Sequence, residues 1–361
     1  MPMTRTPERA PEAGWTQRVR WLSGAIVSLA LAGCYVLQAA RGQAAILVER
    51  EPIDRVVART KTAADVRARL EQALVIREYA SRELGLPRNR SYTTYADIGR
   101  PYVVWNVFAA PEFSVEPTLW CFPIAGCVPY RGYFSESAAQ RFALRLRHQG
   151  LDVHLGGATA YSTLGHFADP VLSTMIRFDD VNLASVIFHE LAHQRVYVPG
   201  DSSFNEAFAT AVEQEGLRRW LTAQDRRADL ERYTERRRHF IAVNAEFAAT
   251  RERLRTLYKS VPPAGAELAA LRAAKQRTFD ELGARLDALS KEWNDGIDYR
   301  NWLARDLNNA RLTAIATYYD CVPGFERILA ESGGDLGRFY EDVEKLGRQP
   351  QQERRAAICP G

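Results

Sequence analysis

The sequence predicts an α+β chain dominated by helix, in which a small mixed or antiparallel sheet packs on one buried helix and a long helical hairpin follows. Three observations lead to that class. Residues 52–84 and 223–293 place apolar side chains at helical intervals among charges. Runs of β-branched and aromatic residues are short and confined to the first half of the chain. Between these regions one stretch, near 180–197, is mostly uncharged and apolar at its centre, as a helix buried against a core requires.

Composition sets the outer bounds. A chain of 361 residues buries a sizeable core, as one large domain or two modest ones. A hydrophobic share of 46%, with seven Trp, fifteen Tyr and fifteen Phe, is that of a folded protein and too apolar for a disordered one. The 48 basic and 44 acidic residues nearly cancel to +4 and are interspersed, so nucleic acid is not an expected partner.

The N-terminus has the parts of an export signal. Arg18 and Arg20 precede an apolar run over 21–30, and Leu31-Ala32-Gly33-Cys34 follows. Those four residues resemble the bacterial lipobox, which implies removal of residues 1–33 as a signal peptide, lipidation of Cys34, and an address in the bacterial cell envelope facing the periplasm. Val36, Leu37 and Ala39 prolong the apolar run to about the 20 residues that span a bilayer. An uncleaved N-terminal membrane helix is therefore a second reading, and a buried core helix a third. Residues 34–50 read as a linker beside the anchor, and 51–361 as the folded domain.

Within that domain, residues 52–84 predict one or two amphipathic helices stopped by Gly85-Leu86-Pro87. Residues 92–133 read as strands joined by Pro-containing loops. Ser135 caps a helix running to about His148, 152–161 alternates as a strand, and 174–178 reads as a further short strand. The buried helix starts near Asp180 or Asn182 and ends by Tyr197, before Pro199-Gly200. Another helix begins at Ser202 or Ser203. The charged stretch 223–293, broken at Pro262-Pro263-Ala264-Gly265, predicts two long antiparallel helices whose charges are mainly solvated. Helices over about 301–319 and 335–346 complete the chain. With Cys34 lipidated, Cys121, Cys127, Cys321 and Cys359 remain, an even number in an oxidising compartment. Proximity in sequence pairs Cys121 with Cys127 and leaves Cys321 with Cys359; four reduced thiols are the alternative.

The chemistry is concentrated in His189-Glu190-Leu191-Ala192-His193. Histidines four apart share one helix face, so both imidazoles reach one ion at about 2.0 Å while the intervening Glu points toward that ion's water. Chance supplies only about 0.007 such patterns in a chain of this composition. The pattern predicts one zinc ion per chain and makes the helix an active-site helix of zincin type. A catalytic zinc needs a third protein ligand. Asn205-Glu206-Ala207-Phe208-Ala209 resembles the N-E-x-x-A element of gluzincins, which implies Glu206 as that ligand, although it lies only 13 residues after His193. Glu213, seven residues further on the same face, is the fallback ligand or an acceptor behind a ligand histidine. Arg195 departs from the usual pattern, which has an apolar residue there.

A narrower resemblance covers most of the mature chain. Residues 120–134 (WCFPIAGCVPYRGYF), 164–175 (LGHFADPVLSTM), 189–193 and 200–210 (GDSSFNEAFAT) together resemble the bacterial putative aminopeptidase family of predicted lipoproteins. That resemblance implies a zinc peptidase acting on a peptide or protein substrate. The G-x-M-E-N element with which gluzincin aminopeptidases read a free N-terminus is missing. An endopeptidase of envelope proteins thus stands beside the aminopeptidase reading. A non-catalytic envelope lipoprotein on the same scaffold is a further rival, against which the intact Glu190 argues. Glu190 is the expected general base. Tyr318, Tyr319 and Tyr161, and less so Arg177, are candidate donors to the oxyanion.

Overall fold

The computed structural model describes residues 35, 37–122, 126–259, 265–294, 298, 307–319 and 321–359; in 316–319 only the backbone is described. Internal contacts divide the chain into Met1–Ala45 and Ile46–Gly361. In the first unit, 37–45 is helical. Cys34 and the predicted signal segment before it lie outside the described residues. No helix among the described residues is long and apolar enough to cross a membrane.

The second unit opens with β1 (Glu51–Pro52), α1 (Ile53–Val57) and α2 (Ala64–Arg82), followed by β2 (Thr94–Ala96) and β3 (Val104–Pro111). The hairpin strands β4 (Trp120–Phe122) and β5 (Gly126–Val128) precede β6 (Tyr130–Tyr133), α3 (Glu136–His148), β7 (Leu151–Ala158) and β8 (Val171–Leu172). The remaining described elements are helices: α4 (Asp180–Arg195), α5 (Ser202–Ala223), α6 (Arg227–Leu257), α7 (Ala266–Trp293), α8 (Asn309–Tyr319), α9 (Val322–Glu331), α10 (Leu336–Gly347) and α11 (Gln351–Ile358). The fold is a helix-dominated α+β architecture, with three small sheets among the described residues. One is mixed, in the order β1-β2-β8, with β2 antiparallel to β1 and parallel to β8. A second is antiparallel, β6-β3-β7, and β4-β5 is a two-stranded ribbon.

The helices α4 and α5 form the centre of the main core. Ile187, Phe188, Leu191 and Ala192 of α4 are fully buried, as are Ala207, Phe208 and Ala209 of α5. Each large apolar side chain so buried contributes about 1.5–3 kcal/mol. Phe208 packs against Phe325 of α9 and Phe339 of α10, with ring centroids 5.8 and 5.9 Å away. Gly216 lets α5 come close to α4, since a Cβ there would lie 2.9 Å from the Phe188 ring and 2.8 Å from Leu84. The hairpin α6–α7 has a separate small core of Val243, Phe247, Leu254, Leu271, Phe279, Leu282 and Leu286.

Several expectations need correction. The residue capping α4 is Asp179, whose carboxylate accepts from Asn182 N at 2.7 Å, and not Asp180 or Asn182. Asp180 already sits in the first turn, and its carboxylate pairs with Arg226. The next helix, α5, begins at Ser202 as expected, and Asp201 before it is the cap. Residues 174–178 are turns, closed by Met175 N and Ile176 N on Leu172 O and by Phe178 N on Met175 O. Helices α9 and α11 were not expected. Pro323 falls in the first turn of α9, where proline is tolerated, and α11 is a mostly polar helix that buries Arg354 and Ile358. Residues 301–306, where the helix preceding Tyr319 was expected to begin, lie outside the described residues.

Candidate metal centre

The Asp179 cap and the apolar flanks fix α4 in the core, and the helical period then sets His189 above His193. The two rings meet edge to face, 4.8 Å between centroids, with their Nε2 atoms 3.2 Å apart. Glu206 Oε2 lies 3.3 Å from His189 Nε2 and 3.7 Å from His193 Nε2. An ion held tetrahedrally at about 2.0–2.1 Å spaces its donor atoms about 3.3 Å apart. The three donors therefore match the face of such a coordination shell, and His189, His193 and Glu206 could hold a metal ion.

Glu206 reaches this triangle because Asn205 closes the turn before it. Asn205 is buried; its Oδ1 accepts from Val198 N at 2.7 Å and its Nδ2 donates to Val198 O at 2.8 Å. Its amide thus reproduces a strand-like pair of hydrogen bonds across the 196–201 turn. Asp201 N donates to Val198 O in the same turn, and the Asp201 carboxylate caps α5 through Phe204 N. A 13-residue separation is long enough because the turn is this tight.

Glu213 stands behind His189 rather than in the triangle. Its Oε2 is 3.1 Å from His189 Nδ1, and Ser185 Oγ donates to its other oxygen. A carboxylate on Nδ1 places that ring proton away from the triangle and turns the Nε2 lone pair toward it, as outer partners of metal ligands do. His193 has no such support: its Nδ1 is buried without a hydrogen-bond partner among the described residues.

The electrostatics match a site built for a cation. Burial by itself lowers His189, but hydrogen bonds and charge from Glu206 and Glu213 outweigh it and raise it well above the ordinary imidazole range. Burial also raises Glu206, and the two imidazoles reverse that and bring it to about 2. With no metal, a proton on His189 is thus the positive charge between two carboxylates.

Glu190 follows His189 on the helix, and no hydrogen bond to a described residue restrains its carboxyl. Burial pushes it up, opposed by the histidines. The wall on its side of the helix is cross-linked by hydrogen bonds. Gln194, one turn after Glu190, accepts from Asn89 Nδ2 at 2.7 Å and donates to Ser91 Oγ at 3.3 Å and to Asp169 Oδ2 at 3.5 Å. Buried Asp169 also accepts from Thr163 N and Oγ1 at 3.0 and 2.7 Å, and buried Arg77 holds the 87–91 loop through Ser91 O and Pro87 O.

The family of the chain can be stated at this point. The profile described as Putative aminopeptidase matches residues 34–358. The chain belongs to that family. No curated protein and no solved structure shows significant similarity to it. Membership supports a peptidase role and a peptide substrate. The side chains of Tyr318 and Tyr319 lie outside the described residues. Tyr161 packs edge-on against Phe134, and Arg177 is exposed. Cys121 is bonded to Cys127, and Cys321 to Cys359. Arg195 finds Glu344 at 2.6 Å and the Tyr340 ring, which accounts for a charge at a position usually apolar.

Sequence reasoning missed Gln194, Asp169 and Ser185, whose partners are set by tertiary packing. It also missed Tyr197, in the turn between the ligand helices, whose hydroxyl is pushed up by burial and by the Glu206 charge. Its place between the second histidine and Asn205 was the available signal.

Proposed function

We propose that this family member is a zinc-dependent peptidase, anchored at the bacterial cell envelope through a lipidated Cys34 and acting on the periplasmic side. The observation that carries the reading is the triangle of His189 Nε2, His193 Nε2 and Glu206 Oε2 with Glu190 unrestrained beside it. His189, His193 and Glu206 would hold the zinc, which when bound supplies an acidified water and a Lewis acid for the scissile carbonyl. Glu190 would be the base that takes a proton from the attacking water and returns it to the leaving nitrogen. Burial raises its carboxyl, which suits a group that must both accept and release a proton. Glu213 keeps the His189 ring oriented, and Gln194 stiffens the wall beside Glu190.

The purified chain is expected to carry one zinc and to cleave peptides from a mixed library, and Glu190→Gln to keep the zinc while losing hydrolysis. A wild-type chain that binds zinc and cleaves nothing would establish the non-catalytic alternative. Free peptides compared with N-acetylated ones separate aminopeptidase from endopeptidase. The anchor is checked by mass spectrometry of the mature N-terminus and by release of Cys34→Ala from membranes.

A further inference from the structure

The turn 199–201 joins the two ligand helices, and its position decides where Glu206 stands. Two elements far apart in sequence grip it. On one side is Gly126 of the β4–β5 ribbon: a Cβ on Gly126 would lie 2.5 Å from Gly200 N and 2.7 Å from Gly200 Cα, so the backbones touch with no side chain between them. Both glycines are left-handed, with φ of 73° and 79°, a conformation glycine adopts freely. On the other side is Arg354 of α11, whose Nε and Nη2 donate to Asp201 Oδ2 at 2.9 and 2.7 Å. Asp201 thereby divides its carboxylate, one oxygen on Arg354 and the other on the cap of α5. The pair is nine-tenths buried on both sides, where removing one partner leaves an uncompensated charge.

Each gripping element is tethered by a disulfide. Cys127, next to Gly126, is bonded to Cys121 across the ribbon. Cys359, at the end of α11, is bonded to Cys321, and Gly324 of α9 lies so close to α11 that a Cβ would fall 2.2 Å from Ile358 O. Metal ligands must be held to within about 0.5 Å, and Glu206 sits one turn into the helix that starts at this gripped turn.

We propose that the β4–β5 ribbon and α11 are paired braces on the 199–201 turn, with Gly126 and Arg354 as positioning residues for Glu206, so that metal retention depends on both disulfides being closed. The inference rests on the metal-site reading above.

The test uses the full oxidised chain and zinc alone, with affinity measured by chelator competition and amide hydrogen exchange followed over 196–206. Arg354→Gln, Gly126→Ala, and the Cys121→Ser/Cys127→Ser and Cys321→Ser/Cys359→Ser pairs are expected to weaken zinc binding by about 10–100-fold, the usual effect of losing an outer partner. Exchange should quicken over 196–206 and stay unchanged in α6–α7. Asp201→Asn keeps a good cap but removes the ion pair, and should fall in the same range. Arg354→Lys, which restores a cation, should recover most of the loss, a rescue that a purely structural role does not predict. Folded variants within twofold of wild-type affinity overturn the inference. So does failure of all of them to fold in the presence of zinc, since the braces would then be fold elements. A wild-type chain that holds no zinc, or holds it equally after Glu206→Ala, instead sinks the metal-site reading.

Discussion

The pairs α4–α5 and α6–α7 are both antiparallel helices joined by a short connection, and they are built in opposite ways. The first has a largely apolar interface in which Ser185, His189, Glu206 and Glu213 point inward at one another. The second carries its charges outward and keeps only a thin apolar seam. Burying carboxylates and imidazoles inside a helix pair is unfavourable unless each has a partner. In α4–α5 a proton or a metal ion supplies the missing positive charge, and in α6–α7 water solvates it. The charge pattern of the second pair therefore concerns stability, and that of the first concerns chemistry.

The sharpest break of that contrast is Glu190→Gln. Removing a general base should lower kcat by about 10²–10⁴-fold, with zinc content and thermal midpoint unchanged. A variant with wild-type turnover would show that the Glu190 carboxyl moves no proton. The mirror experiment lies in the hairpin. Phe279→Ala empties a position that is 4% exposed in the α6–α7 seam. It should cost about 3–5 kcal/mol in denaturant unfolding while zinc affinity stays within twofold. A large loss of zinc affinity there would couple the two pairs and end the contrast.

These positions differ in how far the sequence reveals them. His189, Glu190 and His193 are legible because helical spacing alone brings them together, and the hairpin is legible because its seam repeats at helical intervals. Asn205 and Glu206 could be read as a motif, but the tight closure that makes a 13-residue spacing workable depends on the Val198 backbone. Glu213 had two open roles, ligand or support, and only its contact with His189 Nδ1 separates them. Gln194 with Asp169, and Arg354 with Asp201, are joined across 25 and 153 residues; no local pattern records such pairs. Helix α11 was missed because its burial comes from tertiary contact of a polar sequence.

Within α4–α5, Glu213→Gln tests whether the outer carboxylate matters. It should weaken zinc binding by about 10–100-fold, less than loss of a ligand. Protons compete for the same place. His189 is raised above its unfolded value in the metal-free chain, so its pairing with the carboxylates stabilises that chain fully below the unfolded value and fades as pH rises through the folded one. Zinc must displace that proton. Its apparent affinity should therefore rise by about tenfold per pH unit until the raised value is passed, as measured by competition at several pH values. Affinity that falls as pH rises over that range would exclude a protonated His189 in the metal-free site.

The smallest effect belongs to the hairpin's outer charges. Arg285 Nε donates to Glu246 Oε2 at 2.6 Å, with about a third of each side chain exposed. At that exposure water screens the pair and side-chain ordering opposes it, so the interaction is worth about 0.2–1 kcal/mol. Glu246→Ala should shift stability by no more than that, and the shift should shrink further in about 1 M salt, where the screening length is near 3 Å. Ser185→Ala, which removes one contact from Glu213, makes the comparison: the Glu213 side chain is only 20% exposed, and the oxygen left without its partner should cost about 1–3 kcal/mol. If the two substitutions cost the same in unfolding measurements at low and high salt, the inward and outward charges of the two helix pairs are not in different environments, and the distinction between a chemical pair and a solvated one fails.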